Sequence, residues 1–413
     1  MGAAQLAGGE STVIDRAEIL RLANEFGLEA RIVEKDYILG WVLAGIYRDP
    51  LIAGTWVFKG GTCLKKCFFE TYRFSEDLDF TVTDETLLDA GFLEARFAEL
   101  GDWLYETAGI ELPVDQRRFD IYNNGRGGRC CEGRIGYRGP IAPRGGDLPR
   151  IKLDLTADEI VISPMVMRPV GHIYSDAPAE GITARCYAFE EVFGEKIRAL
   201  GQRSRPRDLY DVINLFRNGE FRAAAAVIRD VVQQKCAFKN IGFPSFEGLA
   251  VFRDELVGEW GNMLGHQLPA LPPLESFWDV LPEFFGWLAG TRAPAAVTAY
   301  PLAAGEQVLR MPAGAFRLPG RSTPFIEVIR FAAANHLSVD LDYVSEEGRR
   351  STRTIEPYSL RRTQEGNIVL HAVRSQNQQH RSYRVDRILG AHITQLTFVP
   401  RYTVELTPSG PSG

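Results

Sequence analysis

Residues 58–80 constrain the fold of this chain more than any other stretch. Apolar residues at 56–58 predict a strand, which Gly60 and Gly61 end, and a short helical run follows over 63–70. Two adjacent glycines let the backbone approach a ligand closely, and the N–H groups at the start of the next helix can cradle a phosphate.

A second strand, predicted over 78–82, brings a pair of carboxylates, Asp77 and Asp79. Residues two apart on a strand point to the same side, so both carboxylates face one way. Paired hard oxygens suit Mg²⁺ or Mn²⁺, which also take substrate phosphates. Alone, a pair of glycines is more often an ordinary turn, and two aspartates spaced like Asp77 and Asp79 are more often an exposed strand edge. Together they predict a nucleoside-triphosphate site that transfers a nucleotidyl group.

A third carboxylate is predicted on the strand at 150–156. Its apolar residues alternate to one side, whereas Lys152, Asp154 and Thr156 point to the other. A strand aspartate is more often structural. Here Asp154 is a candidate to help hold a metal or to accept the proton of an attacking hydroxyl.

A pair of predicted helices carries a second group of candidate site residues. Lys196 flanks the apolar face of a helix over 189–200, and Asp208 and Asp211 lie three apart on the following helix, with Arg207 beside them. Asp208 could equally be a helix cap, because acidic residues favour the first turn.

These motifs resemble the AbiEii/AbiGii toxin family of nucleotidyltransferases, within the DNA polymerase β-like superfamily. The resemblance covers about 14–216, and its carrying residues are Lys59-Gly-Gly-Thr62, Arg73-Phe-Ser-Glu-Asp-Leu-Asp-Phe80, Glu195-Lys-Ile-Arg-Ala-Leu200 and Arg203-Ser-Arg-Pro-Arg-Asp-Leu-Tyr-Asp211. The family acts in toxin–antitoxin systems and in abortive infection as a phage defence.

The resemblance implies roles for individual residues. Metal ligands would be Asp77, Asp79 and Asp154, and either Asp208 or Asp211 would complete the catalytic site with Lys196. Nucleotide contacts would be made by Gly60, Gly61, Thr62, Ser75, Lys196 and Arg207. A Glu34-Lys-Asp36 run implies that Lys35 or Asp36 faces the cleft. The implied partners are a nucleoside triphosphate, an RNA acceptor such as a tRNA 3′ end, and a cognate antitoxin.

The composition limits the number of domains and the classes of partner that this chain can have. The chain has 413 residues, 45% hydrophobic and 24% charged, which predicts two or three domains with real cores. The net charge of −6 excludes a polycation, so any nucleic-acid surface is local. No signal peptide or spanning stretch is expected, which favours a reducing cytoplasm and no membrane partner. The oligomeric state is left open.

The six cysteines include no Cys-x-x-Cys pair, so zinc and redox motifs are unsupported, and the six histidines show no ligand spacing. Residues 117–150 are rich in arginine and glycine. Such a hairpin can hold phosphates or stack bases, or it can be merely solvated.

The C-terminal region resembles a WYL-type domain. The carrying residues are Val339-Asp-Leu-Asp-Tyr343, Arg353-Thr-Ile-Glu-Pro-Tyr358, Tyr383-Arg-Val-Asp-Arg-Ile388 and Phe398-Val-Pro-Arg401. Ile368-Val-Leu370 stands where the namesake Trp-Tyr-Leu would be. Such domains sense ligands or nucleic acid, and the implied contacts are Arg353, Tyr358, Arg381, Tyr383, Arg384 and Arg387. The alternative is a solvated barrel rim.

The predicted fold class is α+β: a mixed nucleotidyltransferase sheet flanked by helices, a helical appendage, and a small C-terminal β-barrel of Sm- or SH3-like, WYL type. The predicted domains are a nucleotidyltransferase domain at 11–217, the appendage at 218–293, a linker at 294–320 and the barrel at 321–405. Two alternatives to RNA modification stay open: a non-catalytic regulator that binds nucleotide or nucleic acid, and an enzyme that transfers a nucleotidyl group to protein.

Overall fold

The structure is a computed structural model that describes residues 13–69, 73–141, 147–218, 224–293, 297–310 and 325–406. Residues 11–12, 70–72 and 142–146 of the predicted catalytic domain lie outside these ranges. So do 219–223 of the predicted appendage, 294–296 and 311–320 of the predicted linker, and 321–324 of the predicted barrel. The division into domains stays a prediction.

Thirteen α-helices lie within the described residues, some of them only a single turn long. They are α1 Arg16–Phe26, α2 Ala30–Arg48, α3 Pro50–Thr55, α4 Gly60–Cys63, α5 Ala90–Ala108, α6 Phe189–Arg203, α7 Pro206–Arg217, α8 Ala225–Lys239, α9 Phe246–Ala250, α10 Arg253–Leu264, α11 Glu275–Trp278, α12 Leu281–Ala289 and α13 Phe325–Ala334.

Thirteen strands accompany them in the same ranges. They are β1 Trp56–Lys59, β2 Asp77–Val82, β3 Arg117–Asn123, β4 Arg129–Gly136, β5 Arg150–Thr156, β6 Val166–Pro169, β7 Thr183–Cys186, β8 Gln307–Val308, β9 Leu337–Val344, β10 Arg350–Arg362, β11 Ile368–Arg374, β12 His380–Arg384 and β13 Ile388–Thr397.

Seven strands form a mixed sheet in the order β3-β4-β5-β2-β1-β7-β6. Strands β2 and β5 pair in parallel, as do β1 and β7, and the other neighbours are antiparallel. Strand β2 is therefore central, and its apolar residues Leu78 and Phe80 are fully buried. The predicted mixed sheet flanked by helices is confirmed.

The chain leaves β1 through a short helical run. Helix α4 starts at Gly60 and continues as a π-helical turn over Leu64–Phe68. Gly60 has φ +80°, in the left-handed region that favours glycine. The predicted order of strand, glycine bend, helix and strand is thus present at the predicted place.

The C-terminal strands form a six-stranded antiparallel sheet in the order β12-β11-β10-β9-β13, with β8 added to β10. The end strands β12 and β13 do not pair with each other, so the sheet stays open and the predicted closed barrel is wrong in this respect. Strand β8 lies in the stretch predicted as a linker, where Val308 pairs with Arg361.

Helix α13 connects the two halves of the molecule. It packs against β9, β10 and β13 and also contacts α1. Its buried residues Ile326 and Ile329 belong to the same apolar cluster as the core of the seven-stranded sheet. The two sheets therefore share a continuous core in the described part of the chain.

Candidate nucleotidyl-transfer site

Three predicted carboxylates lie on one face of the central strands. Asp77 and Asp79 are two apart on β2, and Asp79 lies directly beside Asp154 in the parallel β2–β5 register. Lys59 lies opposite Asp79 on β1, and Glu132 lies opposite Asp154 on β4. The opposite face is apolar, so the sheet holds this polar row against a rigid core.

The glycine bend closes directly over Asp79. A Cβ built on Gly60 would lie 2.1 Å from Asp79 Oδ2, so only glycine fits this approach. A Cβ on Gly61 would lie 2.9 Å from Ser75 Oγ, which places Ser75 beside the bend. The Thr62 hydroxyl donates to the Asp77 carbonyl oxygen at 2.5 Å and so ties the bend to β2.

Asp79 carries an unfavourable charge in the ion-free protein. Burial and the neighbouring carboxylates Asp154 and Asp77 raise its pKa from 3.8 to about 6, against the opposing effect of Lys59 and Lys196. Burial also raises the pKa of Asp77, again helped by Asp154. Carboxylates that repel one another in a partly buried row attract a cation.

Asp154 is engaged by a lysine. Lys152 Nζ lies 2.9 Å from Asp154 Oδ2 and 3.5 Å from Glu132 Oε2. Asp77, Asp79 and Asp154 do not bring three oxygens within 4.8 Å of one another; in the described ranges only three cysteine sulfurs meet that spacing. The hard-oxygen donors and raised pKa values fit a divalent cation on Asp77 and Asp79, and Asp154 could join them once Lys152 turns aside.

Lys196 points from α6 to the carboxylates of α7. Its Nζ lies 2.7 Å from Asp211 Oδ2 and 3.9 Å from Asp208 Oδ1. Arg73 binds both Asp211 oxygens, at 2.7 and 2.8 Å, and Arg203 binds Asp208. Burial opposes ionisation of Asp211, but Arg73 and Lys196 outweigh it and lower the pKa. Both α7 aspartates are therefore paired, and Asp211 is the closer partner of Lys196.

Two further cations surround Asp77. Arg207 donates to the Met263 carbonyl oxygen, and Lys35 pairs with Glu76 at 2.9 Å; both act electrostatically to lower the pKa of Asp77. The neighbouring Asp36 faces elsewhere, since it pairs with the buried Lys66 at 3.1 Å. Of the two cleft candidates on α2, Lys35 is the one near the carboxylates.

Sequence reasoning assigned no role to Lys59, Lys152, Arg203 or Arg73. The alternation in β5 gave the one available signal, because it put Lys152 on the side of Asp154. Arg73 and Asp211 are far apart in the chain, and only the fold brings them together.

Several arginines of the 117–150 hairpin already have acidic partners. Arg118 pairs with Asp120, Arg134 with Glu132 and Arg138 with Glu111, at 2.6–2.8 Å. Arg126 binds Asp158 and packs over the Phe238 ring. The hairpin is therefore less positive than its arginine content indicates.

The six predicted C-terminal contacts divide by environment. Tyr358 and Tyr383 are buried, and their hydroxyls accept from the Arg401 N–H and from Arg374 Nε. Arg384 pairs with Asp386 at 2.6 Å, and Arg387 with Glu346 at 3.3 Å.

The other two of the six, Arg353 and Arg381, are exposed. Arg381 on β12 lies opposite Ala372 on β11, and Ala372 lies opposite Pro357 on β10. Pro357 is four residues along β10 from Arg353. The two arginines are thus roughly 13 Å apart along the strand direction. The structure does not gather the six into one site.

Among the described residues, no helix is both long enough and apolar enough to cross a bilayer. The compartment stays a prediction.

Two family profiles match the chain. Residues 41–284 match the nucleotidyl transferase AbiEii toxin of a type IV toxin–antitoxin system, and residues 324–393 match the WYL domain. The first covers more than half of the chain and includes every predicted catalytic residue. No curated protein matches the chain.

Two solved structures show weak likeness. MenT4, a nucleotidyltransferase toxin from Mycobacterium tuberculosis H37Rv, is 19% identical with a TM-score of 0.39, over 68% of this chain and 100% of that one. Proteasome accessory factor B/C from Arthrobacter aurescens is 18% identical with a TM-score of 0.18, over 50% of this chain and 32% of that one. At these scores neither neighbour carries a functional argument.

Proposed function

The chain belongs to the AbiEii family of nucleotidyltransferase toxins, and from that premise we propose that it transfers a nucleoside monophosphate from a triphosphate to an RNA hydroxyl, with Mg²⁺ or Mn²⁺. The enzyme class and the toxin–antitoxin setting follow from the family, which also implies an antitoxin partner. The metal, the RNA acceptor, the role in phage defence and the cytoplasmic site are parts of the proposal.

The observation that carries the proposal is the close approach of Gly60 to Asp79 beside Asp154. It brings a glycine backbone bend against carboxylates whose raised pKa values favour cation binding. A divalent cation held by Asp77 and Asp79 would supply positive charge against the triphosphate.

The protein's own groups have separate tasks. The bend at Gly60 and Gly61, with Ser75 beside it, binds the β and γ phosphates, and Lys196 neutralises charge on the transferred group. The acceptor oxygen attacks the α-phosphorus in line as the bond to the β-phosphate oxygen breaks, and pyrophosphate leaves. Asp154 accepts the hydroxyl proton after its lysine partner turns away.

The test is label transfer by the full chain. Purified protein is incubated with each α-labelled nucleoside triphosphate, Mg²⁺ or Mn²⁺, and panels of RNAs and proteins. We expect label on RNA, for example at a tRNA 3′ end, and its loss in Asp79→Ala. The matched control is Asp84→Ala, which removes an exposed carboxylate just after β2.

Three outcomes would contradict the proposal. Label on protein alone would replace RNA with a protein acceptor. Nucleotide binding without turnover, unchanged in Asp79→Ala, would favour a non-catalytic regulator. Equal loss of label in Asp84→Ala would show that the effect of Asp79→Ala is not specific to the site.

We also propose that the C-terminal domain regulates transfer by sensing a ligand or nucleic acid. The supporting observation concerns α7, the helix that carries Asp211. The side chain of Asn335, just after α13, lies close enough to Tyr210 of α7 to lower the pKa of its hydroxyl against the larger effect of burial. A shift of α13 would therefore press on the helix that holds Lys196 in place.

The regulatory proposal is tested with Asn335→Ala rather than by deletion alone, because removing residues from 321 onward would expose shared core. We expect Asn335→Ala to change the rate of label transfer or the toxicity while the chain stays folded. An unchanged rate and phenotype, both here and after deletion from 321, would dispose of the idea.

A further inference from the structure

Three buried cysteines meet beneath the glycine bend. Cys63 ends α4, Cys67 lies one turn later in the π-helical segment, and Cys186 ends β7. Cys186 pairs with Phe58 of β1, the strand that leads into the bend. All three side chains are fully buried, and all three are free thiols.

Their geometry is that of a ligand set. The three sulfur atoms all lie within 4.8 Å of one another. A metal with metal–sulfur bonds of about 2.3 Å, as for zinc, needs three thiolate sulfurs roughly 4 Å apart. Small side-chain adjustments would therefore bring all three onto one ion. The spacing Cys-x₃-Cys with a distant third cysteine matches no zinc motif, which is why sequence reasoning found none here.

The surroundings also suit an ion held by thiolates. Arg168 donates from Nε to the Cys67 carbonyl oxygen at 2.8 Å, and its guanidinium lies over the Phe68 ring. This cation would partly offset the excess negative charge of three thiolates on a divalent or monovalent ion. Sulfur ligands select soft metals over Mg²⁺, so this set would not compete with the carboxylates for theirs.

We propose that Cys63, Cys67 and Cys186 form a binding site for one thiophilic d¹⁰ metal ion, of the class of Zn²⁺ or Cu⁺. The ion links the helical run that follows the glycine bend to β7. It is enclosed as the chain folds, because the sulfurs have no contact with solvent in the folded protein. The site is separate from the proposed transfer chemistry, so either proposal can fail without the other.

The experiment measures the metal content of the full chain. The protein is purified without chelator under reducing conditions, and a second sample is refolded with Zn²⁺ or with Cu⁺. Elemental analysis is expected to find one such ion per chain in the wild type, less than a fifth of that in Cys186→Ser, and the wild-type amount in Cys236→Ser. Cys236 is a buried cysteine on α8 outside the set, so it is a matched control.

A second measurement covers the case in which Cys186→Ser does not fold. Wild-type protein refolded with Cd²⁺ should show thiolate-to-cadmium charge-transfer absorption and a higher thermal midpoint than protein refolded with a chelator. Neither effect, or less than a tenth of an ion per chain in every wild-type preparation, would overturn the proposal and leave three packed thiols. Equal ion content in folded Cys186→Ser would overturn it as well. Asp79→Ala should retain the ion.

Discussion

Burial and charge act in opposite directions on two sets of carboxylates in this molecule. On β2, burial and mutual repulsion raise the pKa of Asp77 and Asp79. On α7 and α6, cations outweigh burial and lower the pKa of Asp211 and Glu195. The first group lacks sufficient counter-charge from the protein, whereas Arg73, Lys196, Lys235 and Arg198 supply it to the second.

The contrast distinguishes carboxylates that bind a ligand from carboxylates that stabilise the fold. A buried charge that the protein itself pairs holds elements together, as Asp211 holds Arg73 and Lys196, because removing one partner leaves the other buried and uncompensated. A carboxylate row left under-neutralised reduces the stability of the ion-free protein, and it gains stability only when a cation arrives. We therefore assign ligand binding to the β2 row and positioning to the α7 pair.

The largest expected effect comes from Asp79→Asn. The change keeps the size of the side chain but removes a cation ligand, so we expect label transfer to fall by about a thousand-fold or more. The thermal midpoint of the ion-free protein should stay the same or rise, because a repelling charge is gone. Label transfer within ten-fold of the wild-type rate would contradict the assignment of ligand binding to the β2 carboxylates.

Asp211→Asn should have its main effect on stability. It leaves Arg73 and Lys196 buried without their carboxylate, which costs about 3–5 kcal/mol in free energy of unfolding. Denaturant titration measures this, with the exposed Asp230→Asn on α8 as the control. A loss below 1 kcal/mol would show that Asp211 is not a structural anchor.

Lys196→Met should affect rate more than stability. Arg73 still pairs with Asp211, so most of the buried charge remains compensated, whereas the transferred group loses a cation worth about a hundred-fold in rate. Single-turnover kinetics and denaturant titration on one preparation separate the two effects. A large stability loss with an unchanged rate would move Lys196 into the supporting group.

The pH dependence of stability tests the sign of the Asp79 shift. Its folded pKa of about 6 exceeds the ordinary 3.8, so the folded state binds a proton between those values that the unfolded state has released. The contribution of Asp79 to stability is therefore complete below the ordinary pKa and is lost as pH rises through about 6.

The measurement is the thermal midpoint of wild type and Asp79→Asn with a chelator, over roughly pH 4 to 7. The thermal midpoint of the variant should rise relative to that of the wild type as pH rises. Added Mn²⁺ should reduce the difference between the two midpoints at the upper end of the pH range. A constant difference across this range would contradict the shift.

Lys152→Ala should have the smallest effect. Lys152 and Asp154 are both partly exposed, so the loss of their ion pair should change stability by less than about 1 kcal/mol. Freeing Asp154 should tighten Mn²⁺ binding several-fold, measured by calorimetry. Weaker binding would mean that Lys152 supports the cation site instead of competing with it.

The sequence predicted what depends on local pattern. The glycine bend and the strand alternation placed Gly60, Asp79 and Asp154 correctly on their elements. The family resemblance supplied the link between them. Pairing of β2 with β5 in parallel is a long-range choice that alternation does not encode.

Long-range contacts account for what was missed. Arg73 meets Asp211, and Cys186 meets Cys67, only because helices and strands distant in the chain pack together. The open C-terminal sheet has a similar cause. Predicted strands indicate a sheet, but closure depends on whether the end strands β12 and β13 curl far enough to pair.

The most direct test of the carboxylate assignment is anomalous diffraction from crystals grown with Mn²⁺ and a non-hydrolysable nucleoside triphosphate. The account predicts a manganese peak about 2.1 Å from oxygens of Asp77 and Asp79, with the phosphates against Gly60 and Gly61. Nucleotide bound elsewhere, or manganese on Asp208 and Asp211 with the β2 row empty, would contradict it.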